Sequence, residues 1–298
     1  MNITLDWLGT ATFRLTFGET VVMLDAYIDR IDTAPPVGLR AADIDRADFI
    51  LVGHSHFDHL AGAEVIATNT GARIIGSNES CRVMRERGIG DDQLLPSQGG
   101  ERHRLSDDVT VRVFPSVHTC LWAPSAGDAS SPITGGLGLC EDERAGLFAA
   151  GNDFTRAYAE HPEWAPKFMD HVRTSAGSRR DGGPLVYLFE TPAGRIFWQD
   201  SCGCWTGILR TIETDVAMLA VTGRPNCDGE PWQGTMADFI AMEAELLGAK
   251  TVILGHHDNW LGIPNAPAYD TSPIRDALER AGRAMREPGY LEGTRLLA

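Results

Sequence analysis

Positive charge is scarce in this chain. Its 298 residues carry 26 Lys and Arg against 41 Asp and Glu, a formal net charge of −15. Such a field repels polyanions, which argues against nucleic acid as a partner. Most of the excess reads as a solvated acidic surface. Long apolar runs are also missing, and none approaches the roughly 20 residues of a membrane span. The first residues lack the basic and apolar regions of a signal peptide. The six cysteines (Cys81, Cys120, Cys140, Cys202, Cys204 and Cys227) form no Cys-x-x-Cys pair and are too sparse for a disulfide framework. Internal repeats and low-complexity tracts are absent, and neither Gly99-Gly100 nor Gly135-Gly136 joins a strand to a helix as a phosphate loop does. These absences predict a soluble, reduced, cytoplasmic protein with mostly buried cysteines. The expected partner is a small-molecule substrate rather than nucleic acid or membrane, with a homo-oligomer left open.

The 43% hydrophobic content is enough for one large domain or two ordinary ones. Apolar patterning predicts strands over Asn2–Leu8, Ala11–Phe17, Val21–Asp25, Phe49–Gly53, Arg73–Gly76 and Val109–Pro115, with a helix over Leu60–Thr70 closed at Gly71. A second set follows: Pro184–Thr191 and Arg195–Asp200 joined by a short hairpin loop, then Asp215–Thr222 and Thr251–Gly255. Thr235-Met236-Ala237-Asp238 reads as a capping box for a helix ending at Gly248. Ser272-Pro273 starts a last helix through about Met285. Between the halves, residues 121–183 differ in character. A Pro/Gly/Ser-rich stretch, Ala123–Gly138, precedes helical segments at Asp153–Glu160 and Glu163–Val172 that carry Phe154, Tyr158, Trp164, Phe168 and Met169. Segments this long inside compact domains are usually functional or disordered. These aromatics either pack the segment onto the body or form a lid over a cleft.

The chemistry is concentrated in His54-Ser55-His56-Phe57-Asp58-His59, four metal-ligand side chains within six residues. They follow an apolar strand ended by glycine and precede a helix, and α/β sheets present their chemistry at such strand-to-helix turns. One ion needs about three protein ligands plus an open position, so four in one turn suggest two ions. A solvated polar turn is the bland alternative, but crowded imidazoles and a carboxylate gain little without a cation.

This His-x-His-x-Asp-His run resembles the metallo-β-lactamase superfamily. The flanking Trp7-Leu8-Gly9-Thr10-Ala11-Thr12-Phe13-Arg14-Leu15 and Val21-Val22-Met23-Leu24-Asp25 look like its opening hairpin. The likeness is closest to predicted metal-dependent hydrolases related to the ascorbate-phosphate lactonase and the N-acylphosphatidylethanolamine phospholipase D. It extends to about Gly262, apart from the divergent middle. It implies an α/β, four-layer αββα sandwich: a single domain over residues 1–298 with an inserted helical/loop segment at about 121–183. It also implies a ligand set of His54, His56 and His118 on one metal and Asp58, His59 and His256 on the other, with Asp200 bridging. His256 ends its strand and is preferred to His257, which remains the alternative. His59 and Asp200 stand where the commonest β-lactamases carry arginine and cysteine. The resulting nitrogen/oxygen set fits zinc but also admits manganese or iron.

Two divalent ions would lower the pKa of a shared water and polarise the scissile bond. The expected activity is therefore dinuclear hydrolysis, by a metal-bound hydroxide, of a small lactone, ester or amide. Asp58 orients the nucleophile and carries a proton to the leaving group. His257 and Asp258 are candidates for supporting groups, and Trp260 for the core or the cleft wall. Cleavage of a phosphodiester or phosphate ester is the second expectation; it needs cations at the cleft, for which Arg173, Arg179, Arg180 and Arg224 are available. A di-iron oxidoreductase or metal-binding regulator is the third, since fold does not fix function. Cys120 and Cys202 each lie two residues beyond an implied ligand and are either a redox-sensitive pair or buried filler. His103, His161 and His171 have no partner at metal spacing and read as surface or packing residues.

Overall fold

The computed structural model describes residues 1–151, 153–178, 182–267 and 269–297. Strands β1 (Ile3–Trp7), β2 (Phe13–Phe17) and β3 (Thr20–Leu24) form an antiparallel meander. In β1 and β2 buried and partly exposed residues alternate, which is why these segments fold as half-covered strands. β4 (Phe49–Leu51), β5 (Arg73–Gly76) and β6 (Leu94–Pro96) then join in parallel. Parallel strands need crossovers. These are supplied by α1 (Phe57–Leu60) with α2 (Ala63–Thr70), and by α3 (Asn78–Glu86).

The second half opens with β7 (Arg102–Arg104) and β8 (Thr110–Pro115). The long central segment carries α4 (Glu141–Ala150), α5 (Asp153–Glu160) and α6 (Ala165–Thr174). β9 (Leu185–Thr191) and β10 (Gly194–Trp198) follow as a hairpin. Next come β11 (Gly203–Cys204), α7 (Thr206–Leu209), β12 (Val216–Ala220), β13 (Asn226–Cys227) and β14 (Glu230–Pro231). The chain ends with α8 (Met236–Leu246), β15 (Thr251–Gly255), α9 (Ser272–Arg280), β16 (Ala284–Arg286) and β17 (Thr294–Leu297).

Two seven-stranded sheets result, ordered β17-β1-β2-β3-β4-β5-β6 and β16-β15-β12-β10-β9-β8-β7, beside a small sheet β11-β13-β14. One apolar core lies between the large sheets, uniting Leu5, Phe13 and Leu51 with Val111, Tyr187 and Trp198. A second packs α2 and α3 onto the first sheet through Ile66, Ala67 and Met84. The third packs α8 and α9 onto the second sheet through Phe239, Ile240 and Leu278. The four layers are therefore helix, sheet, sheet, helix. Among the described residues no helix is long and apolar enough to cross a membrane.

Three expectations are refined. The first helix is broken: Gly62 takes φ 97°, and a Cβ there would meet the Ala26 carbonyl oxygen at 2.5 Å, so α1 ends at Leu60 and α2 begins at Ala63. The last helix stops at Arg280 because Gly282 turns left-handed, and Ala284–Arg286 pair in parallel with β15. In the central segment, Glu141–Ala150 is also helical, ahead of the two segments the sequence indicates.

Gly62→Ala combines left-handed strain with a backbone clash and is expected to cost roughly 1–3 kcal/mol or more in urea unfolding. Gly71, at φ 77° with nothing within 4 Å of a built Cβ, carries the strain alone, so Gly71→Ala is expected to cost about 1–2 kcal/mol. Equal losses would show that the close approach at Ala26 does not shape this turn.

Candidate metal centre

The site begins where β4 leaves its sheet. Beyond Leu51 the chain turns at Gly53, runs through His54 and Ser55, and enters α1 with His56 at the N-cap, which sets Asp58 and His59 in the first turn. Gly53 is required by contact rather than by dihedral freedom. A Cβ there would lie 2.0 Å from Cγ of Asp200, which arrives from the end of β10 in the other sheet. The strand-to-helix turn of one sheet thus closes against the strand end of the other. His118 arrives from the turn after β8 and His256 from the end of β15.

These seven residues form three overlapping donor groups, in each of which the ligand atoms lie within 4.8 Å of one another: His54, His56 and His118; His54, His59 and Asp200; and Asp58, His59 and His256. Nε2 of His54 is 3.1 Å from Nδ1 of His56. Nε2 atoms of His59 and His256 are 3.3 Å apart, and each is 3.4 Å from Oδ2 of Asp58. Oδ2 of Asp200 reaches Nδ1 of His54 at 2.6 Å and Nδ1 of His59 at 3.2 Å, so it lies between the outer groups.

The electrostatics suit a cation. Burial, reinforced by neighbouring imidazoles, holds His54 and His56 well below the usual imidazole range, so their ring lone pairs stay free. Burial opposes ionisation of Asp58, but the adjacent His59 and His256 keep its carboxyl well below the usual carboxylate range. Nitrogen and oxygen donors of this kind suit zinc, manganese or iron.

Supporting groups complete the geometry. Asp25 closes β3 at φ 54°; its carboxylate accepts the Gly53 N–H at 3.0 Å and meets Nδ1 of His59 at 2.7 Å. Burial pushes Asp25 up to about 8 despite His59, so the pair shares a proton that fixes which nitrogen of His59 faces the other donors. In the sequence Asp25 carries one signal only, a carboxylate closing an apolar strand, as Asp200 does. Gln199 anchors the Asp200 turn through Ser201 and Gly203 carbonyls at 2.7 and 3.1 Å. Asn226 donates to the His118 carbonyl at 2.8 Å.

The neighbours of His256 serve other ends. His257 stacks on Trp7 at 4.7 Å, away from the donor groups. Asp258 pairs with Arg30 and accepts Tyr290 Oη at 2.6 Å and the Thr10 N–H at 3.1 Å, pinning the His256 turn, where His256 itself has φ 64°. Cys120 and Cys202 are both buried and outside the donor groups; Cys202 donates to the Ala220 carbonyl at 2.8 Å. His171 bonds Tyr27 Oη at 2.9 Å and His103 bonds Ser97 Oγ at 3.0 Å, as packing residues do, while His161 is partly buried in the central segment.

Above the donors opens a cavity of about 1280 Å³ with His56, Asp58, His59, His118 and His256 in its lining. Its walls include Phe57, Phe154, Tyr158, Phe168 and Trp260, so α5 and α6 line the space as well as pack. Among the arginines, Arg224 reaches the cavity but spends its guanidinium on carbonyls of Trp232, Ile133 and Pro124. Arg173 pairs with Asp170. Arg179 and Arg180 lie outside the described residues.

If Asp25 orients His59, Asp25→Asn keeps the fold by far-UV circular dichroism and lowers divalent-metal affinity about 10–100-fold in equilibrium dialysis. Wild-type affinity in that variant would show that His59 needs no such partner.

The Beta-lactamase superfamily domain matches residues 20–159. A UPF0173 metal-dependent hydrolase of Pyrobaculum islandicum is 35% identical over 129 residues, 43% of this chain and 56% of that protein. The chain thus spans about half the length of the curated relatives it matches, 56% for the first of them. Igni18, a metallo hydrolase from Ignicoccus hospitalis, aligns with a TM-score of 0.62 at 14% identity over 100% of this chain and 99% of its own. CmlA, a diiron β-hydroxylase from Streptomyces venezuelae, aligns with a TM-score of 0.57 at 13% identity over 99% of this chain and 54% of its own. At these identities the structural likenesses speak for the fold alone. Over residues 20–159 the chain is thus similar to the β-lactamase superfamily domain, and its layered sheets with donor-bearing strand ends have the metallo-β-lactamase fold.

Proposed function

We propose that this chain is a hydrolase holding two divalent ions, zinc foremost, that cleaves a small lactone, ester or amide bearing an apolar portion. One observation carries the reading: two donor groups that share no residue, linked through His54, His59 and Asp200, form the floor of an aromatic-walled cavity. The names of the Pyrobaculum and Ignicoccus proteins support hydrolysis. In this reading His54, His56 and His118 would hold one ion and Asp58, His59 and His256 the other, with the Asp200 carboxylate available to both. Bound there, the ions supply Lewis acidity and make water acidic enough to ionise near neutral pH.

The chain's own side chains do the rest. Asp58, ionised and facing the cavity, orients the attacking water, accepts its proton and passes it to the leaving group. Asp25 and Asp200 hold the imidazoles in place. Helices α5 and α6 of the central segment cap the site: their aromatic face keeps bulk water from the reacting bond and receives the apolar part of the substrate. A phosphodiester is disfavoured because Arg87, Arg173 and Arg224, the arginines lining the cavity among the described residues, are already engaged by protein carbonyls or Asp170.

Metal content by mass spectrometry tests the centre. Close to two zinc ions per chain are expected, falling to one or fewer in Asp200→Ala; two irons would turn the search towards oxygen chemistry of the kind named for CmlA. Loaded enzyme is expected to hydrolyse lactones, esters or amides and to leave bis(p-nitrophenyl) phosphate intact, and the reverse pattern would replace this reading with the phosphodiesterase one.

Phe148 and Met169 are both 49% exposed and line the cavity. Changing both to serine removes apolar contact worth roughly 1.5–3 kcal/mol per fully buried side chain. KM for long-chain esters is then expected to rise about tenfold or more, since about 1.4 kcal/mol is a factor of ten, while KM for acetyl esters stays unchanged. Equal KM values for long and short esters before and after would remove the apolar pocket from the proposal.

A further inference from the structure

Behind the Asp200 turn, the small sheet holds two cysteines side by side. Cys204 of β11 and Cys227 of β13 are register partners on parallel strands. Neighbouring strands lie about 4.8 Å apart with partnered side chains on one face, within the roughly 4.4–6.8 Å Cα separation of disulfides. Interaction between the two neighbouring thiols pushes Cys204 up and draws Cys227 below the usual thiol range. Cys204 is buried and Cys227 half-buried, so an oxidant reaches the sulfur that is the better nucleophile. A third group completes the cluster. Glu243 is 0% exposed, accepts from Gln199 Nε2 at 3.0 Å, and lies beside the Cys204 thiol. Burial pushes its carboxyl up to about 8, where it exchanges protons near neutral pH. Hydrolysis at the metal centre makes no use of these three side chains.

We propose that Cys204 and Cys227 form a redox-modification site, a dithiol that a hydroperoxide converts reversibly into a disulfide. The Cys227 thiolate attacks the outer peroxide oxygen; the O–O bond breaks, and the alcohol, or water from hydrogen peroxide, leaves with the proton Cys227 gave up. Cys227 is then a sulfenic acid. Cys204 sulfur attacks it, the S–O bond breaks, and Glu243 passes the Cys204 proton to the departing hydroxide. Two thiols and one hydroperoxide thus give one disulfide, one alcohol and one water, with two electrons passing from sulfur to oxygen. The bridge would link the strand that follows Asp200 to the strand whose Asn226 holds the His118 carbonyl, and so tie together two turns that carry candidate donors.

The experiment uses the reduced full-length protein and an equivalent of hydrogen peroxide, with alkylation and non-reducing peptide mass mapping over time. A Cys204–Cys227 linked peptide is expected, reversed by dithiothreitol and formed about tenfold faster than oxidation of exposed Cys140 in the same molecules. In Glu243→Gln, closure is expected to slow about tenfold while a dimedone-reactive sulfenic acid accumulates on Cys227. The proposal is overturned if Cys140 oxidises first while Cys204 and Cys227 stay alkylatable, or if Cys227 proceeds to sulfinic acid with Cys204 free. An unchanged closure rate in Glu243→Gln would remove Glu243 from the proton path.

Discussion

Everything in this structure turns on keeping buried imidazoles and carboxylates close together. His54 is 0% exposed, His59 and Asp200 1%, His256 4% and Asp58 6%. Burying ionisable groups this completely costs several kcal/mol per charge unless each finds a partner. The chain offsets that cost in pairs: Asp200 with His54, Asp25 with His59, and Asp58 between His59 and His256. Among them His54 and His56 are held as neutral rings with free lone pairs, and Asp58 is held ionised, a field that suits a small cation. The rest of the architecture follows from holding strand ends of two sheets to this spacing. Gly53 lets the sheets approach, Gly62 lets the first helix turn away, and the Arg30–Asp258–Tyr290 cluster pins the last donor-bearing turn.

Much of this was legible because it is local. Arg73–Gly76 and Thr251–Gly255 emerge with the bounds their apolar patterns give, and Thr235 accepts the Asp238 N–H as its capping box implies. The four donors of the first turn announce themselves by crowding alone. His118, Asp200 and His256 were within reach only because the resemblance indicates which strand ends to consult.

What stayed hidden is long-range. Asp25 is an ordinary carboxylate until β3 and β4 lie side by side and bring it to His59. The last helix looks able to run on to Met285, but pairing of Ala284–Arg286 with β15 outweighs local helix preference, and Gly282 permits the turn. β11 and β13, at two residues each, are too short to carry a period, so the pairing of Cys204 with Cys227 cannot be seen in their spacing. Cys120 and Cys202 drew attention by proximity to donors in sequence, yet Cys202 points into the apolar layer beneath α8, against Met236.

The central segment joins these themes. Its aromatic cluster of Trp164 and Phe168 packs on Phe57, which lies between the donors His56 and Asp58, and Trp164 Nε1 donates to the Leu261 carbonyl at 3.0 Å, just beyond the His256 turn. Tyr27, two residues past Asp25, holds His171 of α6, and the Ser178 N–H donates to the Ser55 carbonyl at 2.7 Å. The segment is therefore fastened to the same turns that carry the metal donors, at both ends of the cavity. A wall built this way does not hang from a separate hinge. Any displacement of α5 or α6 pulls on Phe57 and Trp260 and, through them, on the spacing of Asp58, His59 and His256. Because interiors are close-packed, such a displacement is transmitted rather than absorbed. The shape of the aromatic wall and the geometry of the candidate donors are thus one mechanical problem.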